Sequence, residues 1–238
     1  MKNKEEPSID LTRGSPSPAS NCSERETTDS LPRPGPTVSA SIEKPALSLI
    51  PESLMEAVVE EANIERAWKN VRAKRGAPGP DGITLAEFPA WYRANWPKLR
   101  QQLLDGTYWP EPVRRVTIEK PDGGHRLLGI PNLFERMIQQ AIVQVLTPVF
   151  DPGFSESSHG FRPKRSAHGA AKQVQRTIRR GYRFAIDMDL SKFFDRCAHD
   201  VVMQRVSRKV SDKTLLTLIG RYLRAGVIVD GVLQPTIE

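Results

Sequence analysis

The fold is decided by residues 183–195, which read RFAIDMDLSKFFD. Apolar side chains alternate along the first part of this stretch, so the spacing predicts a β-strand over 183–190 with Asp187 and Asp189 on one face. Carboxylates at the end of an apolar strand cost free energy unless they are paired or hold a metal. Two interpretations stay open: a metal-binding strand end suited to phosphoryl transfer, or an acidic turn in which Asp195 caps the next helix.

A β-hairpin is predicted upstream, over 113–130. Apolar and polar residues alternate in its first strand, and the turn at 121–124 contains two glycines. Lys120 and Arg126 flank this turn and are therefore expected at the hairpin tip. Opposed cations at a tip suit a polyanion such as a triphosphate, and a solvated basic hairpin is the alternative.

Most of the remaining sequence has helical periodicity. The predicted helix that starts at Asn132 has Glu135 as its capping partner. A terminal hairpin is predicted over 227–233, around Asp230 and Gly231. The predicted helices cover about 51–71, 85–105, 132–149, 166–180, 199–209 and 212–224.

Two neighbouring segments carry a second group of cations. The polar loop 151–165 contains three of them in a cluster suited to phosphate contacts, and the helix after it has three more at i, i+4 and i+7. We expect all six to bind nucleic acid. They are Arg162, Lys164 and Arg165 in the loop, and Lys172, Arg176 and Arg179 on the helix.

Composition points to an anionic partner for the folded part of the chain. Residues 1–50 are rich in Ser and Pro and are predicted to be a disordered leader. Residues 1–50 contain six basic and seven acidic residues, a net charge of −1, so residues 51–238 carry +8 and the whole chain carries +7. Nucleic acid is the commonest such partner. Two isolated cysteines, Cys22 and Cys197, fit a reducing cytoplasm, and no apolar run long enough to span a membrane is present.

Four blocks resemble one family. Residues 189–195 (DLSKFFD) resemble the first palm carboxylate motif of reverse transcriptases of group II introns and related bacterial enzymes. Residues 76–84 (GAPGPDGIT) and 114–131 resemble its N-terminal block and fingers hairpin. Residues 154–168 (FSESSHGFRPKRSAH) are the most specific match. The blocks occur in the family's order.

The resemblance implies roles for individual residues. Asp189 would be catalytic and bind two Mg²⁺ ions, and the backbone carbonyl of Leu190 would be a further metal ligand. Phe194 would pack against the sugar of the incoming dNTP. Lys120 and Arg126 would contact its triphosphate.

The resemblance also implies an α+β fold, with the fingers and a partial palm of a right-hand polymerase. The expected divisions are a disordered leader at 1–50, an N-terminal helical extension at 51–110, fingers at 111–182 and a partial palm at 183–238. An aromatic-x-Asp-Asp motif, which completes such a site, does not follow. We therefore expect a truncated chain that does not polymerise DNA alone and that exposes apolar surface around its 183–190 strand.

The implied function is RNA-directed DNA polymerisation for a group II intron, together with intron RNA binding as a maturase. Expected partners are intron RNA, an RNA template with a DNA primer, dNTP and a complementing C-terminal half. Three alternatives are open: a non-catalytic RNA-binding fragment that assists splicing, a non-intron bacterial reverse transcriptase such as a CRISPR-linked one, and a gene fragment without present function.

Overall fold

A computed structural model describes residues 53–119, 121, 123–190, 193, 196–229 and 231–235 of the protein. The predicted leader at 1–50 lies outside these ranges. Lys120, Phe194 and Asp195 lie outside them too, so their expected roles stay predictions. None of the helices within the described ranges has the length and apolar character needed to cross a bilayer.

The helices and hairpins occur where the periodicity predicts them, with one helix divided in two. The predicted helix at 51–71 is interrupted at Val59 and Glu60. The helices are α1 (Leu54–Val58), α2 (Glu61–Ala73), α3 (Phe88–Leu104), α4 (Leu133–Phe150), α5 (Ala167–Arg179), α6 (His199–Ser207) and α7 (Lys213–Leu223). The strands are β1 (Val113–Glu119), β2 (His125–Ile130), β3 (Val227–Val229) and β4 (Val232–Gln234).

The four strands form one sheet in the order β2-β1-β3-β4. Both hairpins are antiparallel, and β3 joins β1 in parallel with Val113 opposite Val227. The described residues all belong to one compact unit. The terminal hairpin, which the sequence assigned to the palm, therefore extends the sheet of the fingers hairpin.

Helix α4 lies at the centre of the core. Its apolar residues recur every three or four positions, and Met137, Ile138 and Ala141 are fully buried. Helices α1, α2 and α7 pack around the same core, with Leu215 of α7 also fully buried. Burial of each such large side chain stabilises the fold by about 1.5–3 kcal/mol.

The predicted strand at 183–190 is wrong, because these residues are non-regular and exposed. Alternation makes a strand possible, but a strand also needs a neighbour to complete its backbone hydrogen bonds. The described sheet is built from the two hairpins instead. The expected exposed apolar surface is present: Phe184 is 98% exposed, Ile186 87% and Met188 86%.

Candidate nucleotide and nucleic-acid interface

The fingers hairpin presents Arg126 close to its tip. The strand register pairs Ile118 with Arg126 and Glu119 with His125, directly before the turn. Residues paired across antiparallel strands share a face, so Arg126 lies on the same face as Ile118 and, two residues along, Leu128. Arg126 is exposed. The hairpin predicted from alternation is confirmed, and it places this cation where an anionic ligand has access.

The loop 76–82 ties together the two ends of the hairpin. Arg114, near the start of β1, donates to the carbonyl of Pro78 at 2.9 Å. Arg136 of α4, which follows β2, donates to the carbonyl of Ala77. The backbone N–H of Asp81 donates to Asn132 Oδ1 at 3.2 Å. Sequence reasoning missed these contacts, because a Gly/Pro-rich loop does not reveal which side chains hold it.

A buried carboxylate connects α4 to α7 and to the segment before β1. Glu135 accepts hydrogen bonds from the hydroxyls of Tyr108 at 2.5 Å and Tyr222 at 2.7 Å, and from the N–H of Glu111 at 3.0 Å. The predicted capping pair of Asn132 and Glu135 is therefore wrong. The signal available in the sequence was an acidic residue on the apolar face of α4.

Burial dominates the electrostatics of this cluster. It raises the pKa of the Glu135 carboxyl above its ordinary value, while the three donated hydrogen bonds oppose the shift. Burial also raises the pKa of the Tyr108 and Tyr222 hydroxyls, and the neighbouring carboxylate adds to it. Arg221 of α7 donates to the carbonyl of Gly106 at 2.7 Å. The cluster thus fixes α7, which leads into β3, against the chain that leads into β1.

Arg162 holds the loop 151–165 together. Its side chain is only 6% exposed, and its Nε donates to Asp151 Oδ1 at 2.7 Å. Its Nη1 also donates to the carbonyls of Ser155 at 2.7 Å and Ser158 at 3.2 Å. The hydrogen bond from Arg162 lowers the pKa of the Asp151 carboxyl, and the charges of Arg162 and Arg165 add to this effect. The expected phosphate contact of Arg162 is thus corrected to a structural role, since its donors point into the loop.

The other two cations of the loop, Lys164 and Arg165, differ in their exposure to solvent. Arg165 pairs with Glu156 at 2.5 Å, and the Glu156 side chain is 88% exposed. Arg165 also donates to the backbone carbonyl of Glu156 at 3.0 Å, and its own side chain is only 25% exposed. Lys164 is exposed. Lys164 is therefore openly accessible to phosphate, whereas Arg165 is partly engaged by Glu156.

Helix α5 carries the expected row of cations on an exposed element. Lys172, Arg176 and Arg179 are all exposed, and the helix buries none of its residues. Ser166 caps its N-terminus by accepting from the N–H of Gly169 at 3.2 Å. Gln173 ties the helix to the preceding loop, because its amide nitrogen donates to Ser157 Oγ at 2.8 Å.

The carboxylate singled out by sequence lies in an accessible segment. Asp189 is exposed, and Leu190 is 69% exposed. Carboxylate and carbonyl oxygens are the ligand type that Mg²⁺ prefers. Within the described residues, however, no three His, Cys, Asp or Glu side chains group closely enough to hold a metal ion. The donors fit magnesium in kind but are too few to form a complete site.

A groove of about 470 Å³ separates α5 from residues 182–186. Its apolar lining includes Val174 and Ile178 of α5, which are 59% and 62% exposed. Phe184 and Ile186 line the other side. The apolar face predicted for α5 is real, but it faces this open groove and not a closed core.

The chain is similar in sequence to a family model and to several known proteins. The family model described as reverse transcriptase (RNA-dependent DNA polymerase) matches residues 118–234. The chain is 34% identical over 198 residues to protein YkfC of Escherichia coli (strain K12), a match that covers 80% of this chain and 52% of that protein. It is also 34% identical over 163 residues to the group II intron-encoded protein LtrA of Lactococcus lactis subsp. cremoris, covering 68% and 27%.

A plant relative and a solved structure extend the likeness. Nuclear intron maturase 1, mitochondrial, of Arabidopsis thaliana is 36% identical over 94 residues, which are 40% of this chain and 13% of that protein. The partial Cas6-RT-Cas1--Cas2 complex aligns with a TM-score of 0.52 and 23% identity, covering 77% of this chain and 30% of that one. The structural match supports the fold alone. This chain spans about half the length of YkfC and about a quarter of LtrA.

Proposed function

We propose that this chain, which belongs to the reverse transcriptase (RNA-dependent DNA polymerase) family and is related to group II intron-encoded proteins, provides the fingers and first palm segment of an RNA-directed DNA polymerase. The proposed reaction is attack of a primer 3′-hydroxyl on the α-phosphate of a dNTP, which releases pyrophosphate. The proposed nucleic-acid partners are an RNA template with its DNA primer and the intron RNA itself.

The observation that carries the proposal is the hairpin tip. Arg126 is exposed one residue pair before the turn, on a hairpin fixed at its base through Arg114 and Arg136. The base of the hairpin is held in place, and a cation presented close to its tip can stabilise a triphosphate. Lys120, on the other side of the turn, is proposed as its partner, and Phe194 as the residue against the dNTP sugar.

The nucleic-acid contacts are proposed on the cationic face of α5 and the loop before it. Each exposed cation that contacts a phosphate releases a counterion, which favours binding. Lys164 and Arg165 would contact the strand at the loop. Lys172, Arg176 and Arg179 would contact it along the helix.

Asp189 and the carbonyl of Leu190 are the proposed magnesium ligands in this chain. Magnesium, when bound, would neutralise charge on the reacting phosphate. Because the described residues lack a third ligand, a complete two-metal site needs carboxylates from elsewhere, and a complementing C-terminal half is the proposed source. The chain's own contribution is then to bind and orient the nucleotide and the template.

A primer-extension assay tests whether the chain needs a complementing half for polymerisation. We expect no dNTP incorporation by the purified chain with Mg²⁺ on an RNA template annealed to a DNA primer. The matched control is Asp189→Ala, which removes the proposed metal ligand. Incorporation by the wild-type chain above that of Asp189→Ala would show that this chain catalyses the reaction unaided.

A second candidate function is non-catalytic RNA binding that assists splicing. It is favoured by the exposed cation row on α5 together with the incomplete ligand set in the described residues. Binding to a structured RNA, measured beside dNTP binding, separates the two. Binding of the structured RNA that is not strengthened by added dNTP supports this candidate over the polymerase.

A further inference from the structure

Phe161 combines full exposure with an unfavourable backbone conformation. Its side chain is fully exposed, and its φ of 55° lies in the left-handed region that bulky residues rarely adopt. A fully exposed ring contributes little to the core, so packing among the described residues does not account for either feature. A bulky residue in this region persists only where the surrounding structure holds it, and such residues cluster at ligand sites.

The loop around Phe161 supplies that support. The next residue, Arg162, donates to the carboxylate of Asp151 and to two backbone carbonyls. Lys164 is also left-handed, with a φ of 59°, and is followed by Arg165 bonded to Glu156. The backbone around Phe161 is thus held in place before any ligand arrives, which lowers the entropic cost of binding.

The charges beside the ring define the ligand. Lys164 is exposed three residues away, and the cations of α5 follow on the next helix. A flat apolar face next to exposed cations matches a polymer with an anionic backbone and exposed rings, which is single-stranded nucleic acid. An acidic peptide would satisfy the cations but would offer no stacking partner for Phe161.

We propose that Phe161 is a stacking platform for an unpaired nucleobase and that Lys164 contacts an adjacent phosphate. This inference deepens the proposed binding of nucleic acid and rests on it. The two residues would act differently: stacking releases no counterion, whereas the lysine contact does. Their variants are therefore distinguishable by salt dependence.

The test measures affinity for an oligoadenylate of about a dozen nucleotides, for an abasic phosphodiester oligomer of equal length, and for polyglutamate, each over a range of salt. Phe161→Ala should weaken oligoadenylate binding by about fivefold or more at every salt concentration, with an unchanged slope. Its binding to the abasic oligomer should equal that of the wild type. Phe161→Tyr should restore affinity, and Lys164→Gln should reduce the salt slope by about 0.7.

Phe184→Ala is the matched control, since Phe184 is also almost fully exposed and, among the described residues, no side-chain bond anchors its segment as bonds anchor the 151–165 loop. We expect it to bind oligoadenylate like the wild type, and circular dichroism checks that both variants fold. The inference is overturned if Phe161→Ala binds like the wild type, if both alanine variants lose affinity equally, or if polyglutamate binds as well as oligoadenylate. A wild-type chain that binds none of the three overturns the proposed function as well.

Discussion

At position 79 the protein has room for a hydrogen atom but not for a methyl group. Gly79 is buried against the start of α4, and a Cβ there would lie 2.6 Å from both N and Cα of Asn132. We expect Gly79→Ala to lower the free energy of unfolding by about 1–3 kcal/mol, because backbone atoms have to move. Urea unfolding measures this, with Gly160→Ala as the control, since a Cβ at Gly160 meets nothing within 4 Å. Equal stability of both variants would contradict the proposed packing.

Glu135 gives the protein a pH dependence of defined sign. Its pKa is raised on folding, so the folded state holds the proton more tightly than the unfolded state. The resulting stability is fully present below the ordinary pKa of 4.5 and is lost as the pH rises through the higher pKa of the folded state. The quantity to follow is the free energy of unfolding of the wild type minus that of Glu135→Gln. We expect this difference to fall as the pH rises through this range. A difference that stays constant or rises with pH, measured by urea unfolding, would contradict the assignment.

At the scale of elements, α5 is an exposed helix that carries a row of cations. It buries no residue, so replacing its cations should leave the fold unchanged. We expect Lys172, Arg176 and Arg179, changed together to Gln, to reduce the salt slope of single-stranded RNA binding by about 2. The control changes three exposed cations on α2 and α3 to Gln: Lys69, Arg72 and Arg100. Equal reductions by both triple variants would mean that binding depends on net charge and not on α5.

The sequence predicted elements well where the periodicity is local. Helix α4 and the β1–β2 hairpin were predicted because their patterns depend on residues close in the chain. The strand expected at 183–190 failed because alternation cannot report whether a partner strand is available. The loop 76–82 and the Glu135 cluster were missed for a related reason: their partners lie 24 to 87 residues away.

For the candidate site, the sequence identified the cationic residues better than it identified their individual roles. Arg126 and the α5 cations are exposed, as a ligand requires. Arg162, in contrast, belonged to the same predicted cluster yet bonds to Asp151. A cationic side chain that binds phosphate and one that anchors a loop have the same charge and the same spacing in a sequence. Three-dimensional contacts are therefore needed to tell them apart.

At the scale of the whole molecule, one sheet links the beginning and end of the family match. β3 pairs with β1, and the Glu135 cluster holds α7 against the segment that leads into β1. The hairpin tip and the segment of Asp189 therefore belong to one compact unit. This unit is the platform on which the proposed nucleotide contacts depend.

The most direct test is the affinity of the chain for an RNA template annealed to a DNA primer, measured in Mg²⁺ with and without the next complementary dNTP. If the chain binds the template and the triphosphate together, the complementary dNTP increases the affinity for the RNA–DNA hybrid, and a non-complementary dNTP increases it less. Arg126→Gln should abolish this gain and leave binding without dNTP unchanged. Hybrid affinity that is the same with and without the complementary dNTP would contradict the account.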